Sequence, residues 1–116
     1  MSVEELKGRT KRFALEVLMF AKSLPRGPIS DVLGRQMMRS GTSVGANYRA
    51  ACRAKSNADF VSKMGTVEEE LDETMYWMEM LVEAGIVRAE KTTSLMKEAN
   101  QLLAITVASI RTARRR

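Results

Sequence analysis

Cys52 is the chain's single cysteine, and histidine is absent. These two facts restrict the chemistry that the side chains can offer. Without imidazole there is no His-based acid–base catalysis, no Ser–His triad and no His-ligated metal. One thiol cannot build a disulfide framework or a zinc knuckle within one chain. Ser43 and Lys55 are the residue types of a Ser–Lys dyad, but on one helix they are separated by about 18 Å of rise. Cys52 shares a helical strip with Gly34, Gly41 and Gly45, which reads as a buried thiol rather than a nucleophile. Glu69, Asp72 and Glu73 are clustered carboxylates. Carboxylate metal sites in bundles add Glu-x-x-His pairs, which this chain cannot supply. These acids also flank an apolar stripe instead of interrupting it, so a solvated or salt-bridging face is the simpler reading. Gly41-Thr-Ser-Val-Gly45 lies inside a helical pattern and not after a strand, so it does not read as a phosphate loop. The expectation is a protein that is not an enzyme and needs no metal or cofactor.

Phosphate contact is the chemistry that the charges do suggest. Lys and Arg number 19 against 14 Asp and Glu, a net charge of +5. Between Asp31 and Asp59 there is no acidic residue, while Arg35, Arg39, Arg49, Arg53 and Lys55 fall in that interval. The four arginines lie within about 80° on a helical wheel. A second group, Arg111, Arg114, Arg115 and Arg116, has no acidic residue after Glu98 to offset it. Asp59 to Glu83 is the reverse, eight acids against Lys63 alone. Two readings stand. The arginines are a basic face for RNA or DNA, or the arginine stripe meets the acidic stripe, within or between chains.

The elements that position these groups follow from apolar periodicity. Leu6, Phe13, Val17, Phe20 and Leu24 recur at helical spacing, and Pro25-Arg-Gly-Pro28 ends that helix. A second helix opens with Ser30 as N-cap, runs to about Ala54 and buries Leu33, Met37, Val44, Tyr48 and Ala51. Its three glycines cost roughly 1 kcal/mol each against alanine. Close approach of another helix is one explanation, and a break within Ser40-Gly-Thr-Ser43 is the other. A third helix starts at Ser56-Asn-Ala-Asp59 and repeats Phe60, Met64, Val67, Leu71, Met75, Met78 and Val82. Gly85 is a natural residue to follow it. A fourth begins somewhere in Val87–Thr92 and buries Leu95, Ala99, Leu102, Leu103, Thr106 and Ile110. Four amphipathic helices with short loops predict an all-α fold, an antiparallel up-down-up-down four-helix bundle, with residues 1–116 as a single domain. Leu15, Met19, Trp77 and Leu81 fall outside the core stripes. Such surplus apolar surface predicts self-association through those four residues.

The 116-residue length allows a real core. No apolar run approaches the ~18 residues of a membrane span, and the first residues lack the apolar core of a signal peptide. The expectation is a cytoplasmic protein with no membrane partner.

Arg39-Ser-Gly-Thr-Ser-Val-Gly-Ala-Asn-Tyr-Arg49, continuing to Ser56, is a distinctive run. Ala58-Asp-Phe60, Glu73-Thr-Met-Tyr-Trp-Met-Glu-Met-Leu81 and Lys97-Glu-Ala-Asn-Gln101 accompany it. Together, from about Thr10 to Thr112, they resemble the four-helix-bundle family of 23S rRNA intervening-sequence proteins. The resemblance implies a bacterial protein, an antiparallel bundle assembling as a homopentamer, and no enzymatic activity. A similar protein is the accessory factor of diversity-generating retroelements, a basic pentamer that binds nucleic acid and a reverse transcriptase. The acidic Glu68-Glu-Glu-Leu-Asp-Glu73 departs from strongly basic relatives. The functional expectation is a homo-oligomeric bundle with candidate RNA or DNA binding. The alternative is an oligomeric adaptor or scaffold with no nucleic-acid binding, its charges used between subunits.

Overall fold

In a computed structural model the chain forms α1 (Val3–Lys22), α2 (Pro28–Cys52), α3 (Asn57–Glu83) and α4 (Thr93–Arg114). One 3-10 turn, Ala89–Lys91, precedes α4. Local signals fix most boundaries. Ser2 caps α1 by accepting from the Glu5 backbone N–H, and the Glu5 carboxylate accepts from the Ser2 N–H, a reciprocal capping box. Ser56 caps α3 by accepting from the Asp59 N–H at 3.0 Å. Gly85 follows α3 with φ +75°, a left-handed conformation that glycine adopts freely.

Ser30 is a different matter. It lies inside α2 and is buried; Gly27 is the N-cap and Pro28 the first helical residue. Proline's fixed φ suits that position, where no N–H is needed. The other bounds move little, since α1 ends at Lys22 and α2 at Cys52. The helix runs unbroken through Ser40-Gly-Thr-Ser43.

The helices pack as an antiparallel up-down-up-down bundle, 47 × 21 × 21 Å. Each packs on its sequence neighbour, and α1 meets α4 along a thinner seam. Arg9 crosses that seam, donating from Nε to Glu98 at 2.7 Å and from Nη2 to Glu98 and Gln101. The predicted stripes supply the core, with Phe20, Leu24, Phe60 and Leu103 half-buried at its margin. Phe13 and Val17 of α1, Met37 and Val44 of α2, Met64, Leu71 and Met78 of α3 and Leu102 of α4 are essentially inaccessible. Each such side chain contributes roughly 1.5–3 kcal/mol by leaving water.

The glycine strip of α2 faces α1. A Cβ on Gly41 would stand 2.8 Å from Cγ1 of Val17, and one on Gly34 would stand 3.1 Å from Cδ1 of Leu24. The roughly 1 kcal/mol helix penalty per glycine is offset by the burial that close approach permits. Cys52 is half-buried.

Leu81 corrects the sequence expectation. The spacing puts it beside the core stripe, at an oligomer surface, but it is fully buried in the core, and Val82 is the half-buried one. Near the end of α3 the core-facing stripe includes Met78 and Leu81 at i and i+3, not Met78 and Val82 at i and i+4. Trp77 is half-buried and packs on the core. Leu15 and Met19 are exposed, at 54% and 63%.

Candidate nucleic-acid interface

The eight candidate arginines do not form one surface. Arg35 and Arg39 sit in the first half of α2, Arg49 in its last turn and Arg53 at its C-cap. Arg35 and Arg53 are eighteen positions apart, about 27 Å along the helix. Arg35 lines a hollow at the α1–α2 turn with Arg26 and Asp31.

Arg39 has acidic partners within the chain. Its Nη2 donates to Glu73 Oε1 at 2.8 Å, and its Nη1 lies 3.8 Å from Glu70 Oε2. At this position the arginine stripe meets the acidic helix, as one of the two sequence readings had it. Glu70 is almost fully buried there, and its Oε2 has no hydrogen-bond partner. Burial raises its carboxyl above the ordinary value of 4.5, and the neighbouring Glu73 pushes the same way. The Ser43 hydroxyl and Arg39 oppose that rise. Beneath them Ser40 and Thr74, both inaccessible, share a 2.8 Å hydrogen bond across the α2–α3 contact. This polar patch joins two helices. The Trp77 indole Nε1 on the same helix is also buried without a partner.

The remaining arginines converge. Asn57, at the start of α3, donates from Nδ2 to the Ala113 carbonyl at 2.6 Å. That bond holds the last turn of α4 beside the α2–α3 turn. The antiparallel order therefore gathers Arg49, Arg53 and Lys55 with Arg111, Arg114, Arg115 and Arg116 at one end of the bundle. All seven are exposed, and none has an acidic side chain within 4 Å. Three acids of this end are engaged elsewhere, the first being Glu4, which lies 3.6 Å from Lys7 Nζ. Asp59 pairs with Lys63 Nζ and accepts from the Lys55 N–H, which holds its carboxyl below the usual range. Glu5 is held below its ordinary value by the Ser2 cap. Two groups sixty positions apart in sequence thus form one electropositive end. Lys55, read only as part of the charge run, belongs to it. The Asn57 contact that unites them had no sequence signal.

Part of this charge also serves the helices. Arg49 lies in the last turn of α2, and Arg111 and Arg114 in that of α4, where a cation complements the helix dipole. That effect is worth about 0.3–1 kcal/mol each and leaves the guanidinium groups free to contact a ligand. No three Cys, Asp or Glu side chains are grouped as a metal ion would require. No helix is long and apolar enough to cross a membrane.

The model of one family, the 23S rRNA-intervening sequence proteins, matches residues 5–108. Among solved structures, the chain is similar to a protein of unknown function from the S23 ribosomal protein family of Bacteroides thetaiotaomicron VPI-5482. The two share 29% identity with a TM-score of 0.84, over 96% of this chain and 99% of that one. No curated protein matches.

Proposed function

Because the chain belongs to the 23S rRNA-intervening sequence protein family, we propose that it is a non-enzymatic, homo-oligomeric bundle that binds RNA or DNA phosphates through its basic end. The observation that carries this reading is the convergence of Arg49, Arg53, Lys55, Arg111 and Arg114–Arg116 at one end, unpaired. Such a cluster attracts a polyanion by releasing its counterions, a term that carries no base information. The chain has few aromatic residues, 5% of the total, and Trp77 is packed into the bundle. Base stacking therefore adds little, and recognition is of backbone charge. In a homopentameric ring, the assembly proposed from the resemblance, the end of each bundle would contribute weak contacts that add through avidity. The working compartment in this reading is the cytoplasm, with Cys52 a free thiol.

The second reading is an oligomeric adaptor without nucleic-acid binding. The Arg39–Glu73 pair favours it, since one arginine of the stripe already serves helix pairing. Titration of a single-stranded RNA at several salt concentrations tests the proposal. The log–log slope should be about −0.7 per phosphate contact. Removing Arg114–Arg116 should reduce its magnitude by about 2 if all three touch phosphate. No binding at low salt refutes the phosphate reading and leaves the adaptor.

A further inference from the structure

The outer faces of α1 and α3 carry matching stripes. On α1, Arg12, Leu15, Met19 and Lys22 follow one another at spacings of three, four and three. All four are exposed, with Leu18 beside them at 37% and Lys11 one turn from Leu15. On α3, Glu69, Asp72, Tyr76, Glu79 and Glu83 follow at three, four, three and four, and all are exposed. Tyr76 is 51% exposed and is braced edge-on by Trp77, ring centroids 5.0 Å apart. The first stripe is apolar at its centre and basic at both ends. The second is aromatic at its centre and acidic on both sides. The first spans about 15 Å of helix and the second about 21 Å, of which Asp72 to Glu83 takes about 16 Å. Arg12, Lys22, Glu69, Asp72, Glu79 and Glu83 have no oppositely charged side chain within 4 Å inside the chain.

We infer that the α1 stripe of one copy docks on the α3 stripe of a second copy, Leu15 and Met19 against Tyr76, with Arg12 and Lys22 facing the acids. The inference rests on the homo-oligomer proposed above and says which faces build it. Apolar centres and opposite charge at the rims, over a comparable length from Arg12 to Lys22 and from Asp72 to Glu83, are what such a contact requires. Tyrosine is a residue that interfaces favour, since it buries a large ring at small entropic cost.

The position of the stripes fixes the kind of assembly. α1 and α3 each pack on α2 and α4, so they occupy opposite corners of the bundle. One neighbour cannot cover both stripes of a copy. The contact is head-to-tail rather than two-fold, and it closes as a ring where the rotation per step allows. Leu81 has no part in it, and Trp77 acts from behind Tyr76.

Two variants test this by complementation, measured by multi-angle light scattering with helicity checked by circular dichroism. Leu15→Glu with Met19→Glu blocks α1 and leaves α3 intact. Asp72→Lys with Tyr76→Lys blocks α3 and leaves α1 intact. All four positions are exposed, so the fold should survive. Each variant alone should run as one 13.0 kDa chain, and their mixture as a species of twice that mass that grows no further. Charge exchange in a single chain is a second route. Arg12→Glu with Lys22→Glu should abolish assembly, and adding Asp72→Lys with Glu83→Lys should restore it. If the wild type is itself a single chain, the oligomer fails and this surface with it. If the wild type assembles and both blocked variants assemble equally well, the oligomer stands and this surface is wrong.

Discussion

Single residues carry the sharpest energetic tests. Gly41 and Gly45 lie one turn apart on the same strip, yet they predict opposite outcomes. A methyl at Gly41 meets three atoms of Val17 within 3.1 Å, and Val17 is fully buried with nowhere to turn. Gly41→Ala should destabilise by roughly 1–3 kcal/mol. At Gly45 the nearest atom is Thr10 Oγ1 at 3.4 Å, an ordinary contact. Gly45→Ala should be neutral or should stabilise by up to about 1 kcal/mol through helix propensity. Thermal melting of the two variants decides, and equal losses would contradict the close approach at Gly41. Glu70 gives a pH test. Its carboxyl is raised in the folded chain, so the folded state binds the proton more tightly than the unfolded one. Ionising it therefore costs stability, and the cost grows as pH rises from the ordinary 4.5 through the raised value. Glu70→Gln should raise the melting temperature at pH 7, and the gain should vanish at or below pH 4.5. A variant less stable at pH 7 would mean that Arg39 depends on Glu70 as well as on Glu73. The sequence showed the glycine strip but not which glycine is tight, because that depends on which α1 side chain lies opposite. Glu70 looked like one of several surface acids, since its burial comes from α2 packing over its turn.

At the scale of elements, existence and facing were legible because four long apolar stripes leave few arrangements. The start of α2 was not. Ser30 and Pro28 both signal a helix beginning, and proline prevailed because its ring already holds the first helical φ. Leu81 was misplaced because the apolar reading passes from Leu71 to Met75, whereas the core keeps the regular three-four spacing Met64, Val67, Leu71, Thr74, Met78 and Leu81; the polar Thr74 hides that register in the sequence. The basic groups were visible separately. Their union was not, since the Asn57–Ala113 contact joins residues 56 positions apart and has no local pattern. Two side chains at the start of α3 can be separated experimentally. Ser56→Ala removes the cap and should cost about 1 kcal/mol of global stability. Asn57→Ala should instead speed amide exchange in residues 112–116. It should also weaken RNA binding, because the arginines of α4 would no longer be held beside Arg53. If RNA affinity is unchanged while exchange rises, the grouping is incidental to binding.

The molecule as a whole presents basic charge at one end and acidic charge along one side. If the end binds single-stranded RNA through four contacts, affinity should fall on the order of fifty-fold between 50 and 200 mM salt. A flat salt response, measured by fluorescence anisotropy, would point to the adaptor. The thin seam between α1 and α4 has a kinetic meaning. The extensive pairings join helices adjacent in sequence, so each can close over a short turn with little loss of chain entropy, which favours fast folding. The Arg9–Glu98 contact spans 89 positions and must await the rest. It is the last to be made and the first to yield, so brief local unfolding would begin there. Arg9→Ala should therefore hasten proteolytic nicking and amide exchange within α1 well before the melting temperature falls in proportion. The bundle is a folded strip closed by a single clasp, and its interior becomes reachable from that side first.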